Sequence, residues 1–232
     1  MSQDGTTVYV FRNAVGGFFE FPVEQARAIL PRHLQPAELH HGSGILSVMA
    51  FDFSESMVGA YQEVILGILV SPRVEPGMAM PHSAFYPYLL ATTTREAREH
   101  AIERWHLPHY MRDVQMSMEP DAGDGRMMVH VSDEGRPIVE MAITSHGWRD
   151  AAQLHQSFMF DEAGGFLAEI TMQGALSESE EEGGYLKLFP HPMTEPLADL
   201  EEVSELPIRE MWMRGGVQTF QPLRELAVTV QP

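Results

Sequence analysis

Short runs in which β-branched, aromatic and methionine side chains crowd together, each ended by a turn signal, recur along the chain and point to sheet as its main material. They are Val8 to Arg12, Gly17 to Phe21, Gly44 to Phe53, Tyr61 to Val70, Arg126 to Val131, Ile138 to Thr144, Gln156 to Phe160 and Phe166 to Met172. Asp133-Glu134-Gly135 and Asp161 to Gly165 separate the last four into two hairpins. Helix signals are fewer. Pro22 opens a segment with Val23, Ala26 and Leu30 at helical spacing before Pro31, and Thr93 with Glu96 makes a capping-box pattern ahead of Ala97, Ala101 and Trp105. A third helix is expected near Leu197 to Leu206. Strands interrupted by a few helices, without regular alternation, predict an α+β class, mainly antiparallel and barrel-like, rather than a doubly wound sheet. With 232 residues, 44% of them hydrophobic, and no repeat or linker, residues 1–232 read as a single domain.

Fifteen Lys and Arg against 33 Asp and Glu leave a net charge of -18, which disfavours nucleic acid and anionic membrane surfaces as partners. A small anionic substrate is still admissible, because one buried arginine can set the field of a closed pocket. The absence of cysteine removes disulfides, thiolate nucleophiles and cysteine metal sites together. Without a basic N-terminal region followed by an apolar run, or an apolar stretch of spanning length, a cytoplasmic protein is expected.

Eleven histidines invite a metal reading through His40-His41 and through His100, His106 and His109. Spacing argues against it. Adjacent histidines on a strand face opposite sides, Pro108 interrupts any helix joining His106 to His109, and no His-x-x-x-His pattern is present. No metal and no cofactor are expected. The 16 methionines read as fillers of core gaps.

Four segments together resemble the acetoacetate decarboxylase-like family. They are LFPHPMTEPLADL (Leu188 to Leu200) followed by Glu205 to Ile208, AYQEV (Ala60 to Val64), Arg12 ahead of ARAILPRHL, and WHLPH (Trp105 to His109). The resemblance implies that fold, a small-molecule carbonyl or carboxylate substrate, and a homo-oligomer. It also implies site positions: Arg12 as the pocket arginine, Glu63 as the glutamate of the tyrosine-x-glutamate strand with Tyr61 beside it, and Ser47 near a second acid position. Phe51, which flanks the tyrosine-x-glutamate motif, would make the cavity more apolar if it faces inward. His106 falls where the family has glycine, and His109 where it has the Schiff-base lysine.

The family's lysine amine condenses with a ketone to give an iminium electron sink, which imidazole cannot form. The only lysine, Lys187, lies between Leu186 and Leu188, where alternation turns it toward solvent. The expected function is therefore a cofactor-free enzyme on a carbonyl-containing small molecule, secondary metabolites included, acting as lyase, isomerase or cyclase. Arg12 would polarise an oxygen, Tyr61 would donate to it, and Glu63 with His109 would move protons. One alternative keeps decarboxylation of a β-keto acid with His109 and Arg12 as the electrostatic sink. Another is a small-molecule-binding protein that no longer catalyses.

Overall fold

Inward and outward side chains alternate along β2 (Ser43–Glu55), and both sets are buried. A strand apolar on both faces must lie between two layers. The computed structural model describes residues 5–40, 42–121, 123, 125–162 and 164–226, and within them it shows what covers each face. One face of β2 looks into a barrel, and the other packs on a second sheet.

The barrel is built from β1 (Thr7–Pro22), β2, β3 (Tyr61–Leu69), β4 (Ser83–Thr92), β8 (Arg149–Asp161), β9 (Gly164–Ser179) and β11 (Pro207–Phe220). Pairing runs β11-β1-β2-β3-β4-β8-β9, and a further β11–β9 ladder closes the ring. All of these neighbours are antiparallel except β4 and β8, which run parallel over Ser83 to Phe85 and His155 to Ser157. A short strand, β12 (Arg224–Leu226), adds to β9. The second sheet has the order β10-β7-β6-β5, from β5 (Gln115–Pro120), β6 (Arg126–Asp133), β7 (Arg136–Thr144) and β10 (Tyr185–Leu188).

Two apolar cores result. Phe11, Phe51, Phe53, Met159 and Met213 fill the barrel, while Leu46, Val48, Val129, Met141 and Ile143 join its outer wall to the second sheet. The expected hairpins form as β6–β7 and β8–β9. The first turns through Glu134 and Gly135, both at positive φ, as a two-residue connection matching strand twist requires.

Helix α1 (Val23–Ile29) follows Pro22 as expected. Helix α2 (Arg95–Trp105) is capped one residue later than its sequence suggests: the Thr94 side chain accepts from the Ala97 N–H, while the Thr93 hydroxyl accepts from the Gln62 N–H. α2 ends at His106, whose left-handed backbone (φ 55°) turns the chain before Pro108 is reached. Near Leu197 to Leu206 the third helix is not α: two single 3-10 turns, Glu195–Leu197 and Leu200–Glu202, stand there. Among the described residues no helix is long and apolar enough to cross a membrane.

Candidate active site

Barrel geometry sends every second side chain of a strand inward. On β2 these are Ser47, Met49 and Phe51, and the residues paired with them on β3 are Gly67, Ile65 and Glu63. All six line one cavity of about 90 Å³ inside the barrel. Trp105 and Leu107, at and just beyond the end of α2, roof it, and His155, Ser157 and Met159 of β8 form another wall. Glu63 and Gly67 are four residues apart on β3, so the carboxyl and the Ser47 hydroxyl enter from positions about 13 Å apart along the strands.

Glu63 is only 8% exposed. Among the described residues it has neither a hydrogen bond nor an ion pair, and burial pushes its carboxyl up to about 8. A carboxyl without a partner in apolar surroundings pays to ionise, which is the physical basis of that shift. Tyr61 lies two residues earlier on the same face, buried, with its hydroxyl raised well above the usual range by burial and by the nearby Glu63. The Tyr9 hydroxyl accepts from Trp105 Nε1 and meets His100 Nε2, both at 2.7 Å, so the roof is tied to β1.

Other expected site residues fall elsewhere. Arg12 is a correction: Tyr9 and Phe11 point inward, so strand alternation turns the Arg12 side chain out, where it is 57% exposed and pairs with Asp52 at 2.8 Å. It does not line the cavity, nor does it neutralise Glu63. His109 is the second correction. It extends the edge of β4 through a parallel bridge to Leu90, and its Nδ1–H donates to the Tyr110 carbonyl at 2.7 Å. It is buried, burial depresses its pKa, and Trp105 and Leu107 of the same segment reach the cavity in its place. The decarboxylase alternative needed Arg12 and His109 in the cavity, and loses both. His106 also stands outside it, stacked on Phe166 with ring centres 4.0 Å apart and bonded to Asp161 at 2.6 Å.

Ser47 and Phe51 line the cavity, as expected for substrate contacts, and no hydrogen bond among the described residues engages the Ser47 hydroxyl. Lys187 lies on β10 in the second sheet, exposed, with its ammonium over the Phe189 ring. Of the histidines weighed for metal, His41 lies outside the described residues, and among those described no group of three or more His, Asp or Glu could hold an ion.

Sequence reasoning missed His155. It is 5% exposed, bonded through Nδ1 to the Ser83 hydroxyl at 2.7 Å, and its Nε2 is buried without a partner. Burial, with His82 nearby, pulls its pKa down to about 4. A lone histidine on a strand carries no motif; only the pairing of β8 with β4 brings it to the cavity.

No sequence match was found among curated proteins. Solved structures of similar fold include an acetoacetate decarboxylase, at 12% identity and a TM-score of 0.68 over 97% of this chain and 91% of that one. The enduracididine biosynthesis enzyme MppR, in complex with pyruvate, is similar at 14% identity and a TM-score of 0.63 over 96% and 90%. An acetoacetate decarboxylase-like enzyme from Sphingomonas wittichii RW1 is similar at 13% identity and a TM-score of 0.60 over 97% and 94%. The family model for acetoacetate decarboxylase (ADC) matches residues 6–222, nearly the whole described chain, and with the closed barrel and its inward glutamate it places this protein: the chain belongs to the acetoacetate decarboxylase family.

Proposed function

We propose that the chain is an enzyme in which Glu63 moves a proton at a carbon beside the carbonyl of a small molecule held in the barrel, without a lysine Schiff base. One observation carries this reading: a buried carboxyl, without a partner among the described residues and raised to about 8, on the wall of a largely apolar cavity inside the barrel. A strongly perturbed acid in a cavity, with no ion pair to account for it, is a candidate reactive group, and a proton-transfer group works best with a pKa near the working pH.

In the step envisaged, the Glu63 carboxylate takes the α-proton and the C–H electron pair becomes the C=C bond of an enolate. The carbonyl oxygen receives the charge, for which the polar lining groups other than Glu63, namely Ser47, Ser157, Gln218 and His155, are the available donors; Tyr61, beside Glu63, does not line the cavity. The proton on Glu63 then returns to the same or another carbon, which is the core of isomerase, lyase and cyclase chemistry alike. MppR, of similar fold, has been solved with the condensation product of pyruvate and imidazole 4-carboxaldehyde, which supports a carbonyl compound as the guest.

α-Proton exchange of 2-butanone in D2O, followed by NMR, tests the step without knowledge of the natural substrate. Glu63→Gln should lose roughly 10²-fold or more in exchange rate. Equal exchange in the variant and the wild type would sink the proposal. A binding protein without turnover is the second reading, favoured by the predominance of apolar side chains in the lining; it predicts no exchange above the buffer rate in either protein.

A further inference from the structure

All fifteen Lys and Arg residues of the sequence lie among the described residues, and none of them lines the barrel cavity. Arg12 is held outside by Asp52, Arg98 is engaged by Asp113, and Lys187 belongs to the second sheet. The polar groups that do line the cavity are the Glu63 carboxyl, the Ser47 and Ser157 hydroxyls, the Gln218 amide and the His155 imidazole. Apolar side chains such as Met49, Phe85, Leu90, Met172 and Met211 make up much of the rest.

An organic anion entering this space would surrender its hydration without gaining a counter-charge, which costs several kcal/mol even after relaxation. It would also share the cavity with Glu63, the one lining group able to carry negative charge near neutrality. A ketone or aldehyde loses far less on desolvation and needs only a hydrogen-bond donor. Burial supplies donors of the right kind, since it keeps Glu63 largely protonated at neutral pH and His155 uncharged. The free volume, about 90 Å³, is room for roughly six to nine water molecules at the ~10–15 Å³ each needs in this measure, which suits a short-chain guest.

Building on the reading of Glu63 as the reactive group, we infer that the cavity selects an uncharged short-chain carbonyl compound, a ketone, aldehyde or enone, and rejects carboxylates of the same size. The recognition chemistry is exclusion of charge by an apolar wall, combined with a neutral donor for one oxygen.

Ligand-observed NMR titration of the full chain with 2-butanone, pyruvate and acetoacetate tests this, run in parallel on wild type and Glu63→Gln. Both proteins are expected to bind 2-butanone saturably, and about tenfold or more tighter than either anion. Met159→Trp, with Met172→Trp as a second choice if the first does not fold, should fill the cavity and abolish the ketone's binding. Equal or tighter binding of pyruvate or acetoacetate overturns the inference, as does the absence of saturable binding by any short-chain ketone or aldehyde, or ketone binding that survives in a folded filled variant. Because selectivity is read as binding, in a variant that need not turn over, it stands or falls separately from proton exchange. A selective site whose exchange is unchanged in Glu63→Gln would sink only the acid–base role.

Discussion

The indole Nε1 of Trp105 donates to the hydroxyl of Tyr9 at 2.7 Å, across 96 positions of sequence, and in doing so fastens the last turn of α2 to β1 above the cavity. The same hydroxyl meets His100 Nε2 at 2.7 Å, so α2 is held to β1 at two points. Tyr9→Phe leaves the buried indole N–H without its acceptor. A loss of about 1 to 3 kcal/mol is expected in urea unfolding, with no change in m-value.

Stability should respond to pH through Glu63 in the sense opposite to most carboxylates. Its folded pKa, about 8, lies above the ordinary 4.5, so the folded chain holds an extra proton between those values. The contribution of this group to stability is therefore full below pH 4.5 and falls as pH rises toward 8, by up to about 5 kcal/mol. Tyr9 and Tyr61, the titratable neighbours, stay protonated over this window because their pKa values are raised. Thermal melts of wild type and Glu63→Gln between pH 5 and pH 8 would show it: the wild-type Tm should drop across the range more steeply than that of the variant.

Arg12→Ala should leave ketone binding and α-proton exchange as they are in the wild type. It should cost no more than about 1 kcal/mol, since an exposed ion pair with Asp52 is all that is removed. A large loss of exchange in a normally folded Arg12→Ala protein would mean that the guanidinium acts on the site after all.

Glu210 is fully buried, and its carboxylate accepts three backbone N–H bonds, from Thr144 at 2.6 Å and from Gly183 and Gly184 at 3.0 Å each. The side chain thus holds β7 and the strand-to-strand loop before β10 against β11. Glu210→Ala strands three donors and should destabilise by about 3 kcal/mol or more, whereas Glu210→Gln, which keeps an acceptor oxygen, should recover part of the loss. Parallel denaturant titrations of the two variants check the order.

Much of this architecture could be read from alternation and turns: both hairpins, α1 and α2, and the strand carrying Tyr61 and Glu63. Among the strands that escaped notice, β4 and β11 break local rules in ways that tertiary pairing repairs. β4 carries Pro87 at the place where its register with β3 shifts beside Gly67, an irregularity that tolerates a missing N–H. β11 holds Gly215 at φ 58° where its pairing with β9 slips between Arg214 and Val217. At the cavity, Glu63 was legible from the tyrosine-x-glutamate strand and Ser47 and Phe51 from the strand before it, while Tyr61, beside Glu63, is not among the lining residues. Arg12 was misplaced because it stands at an irregularity of β1, between Phe11 opposite Phe53 and Asn13 opposite Asp52, which motif spacing does not reveal. His155 carried no local signal, because its cavity exists only after β8 has met β4.

A closed ring of strands obeys parity: each antiparallel neighbour reverses direction, so seven strands cannot all alternate and return to the start consistently. The parallel step between β4 and β8 is therefore a requirement of closing this ring at seven, and it is short, three residues on each side. The same step carries Ser83, Phe85, His155 and Ser157, so the least securely zipped joint of the wall bears polar side chains that reach the cavity. Amide exchange should report it as the first place the barrel unbuttons, and a guest too large to pass between folded strands would find its door there.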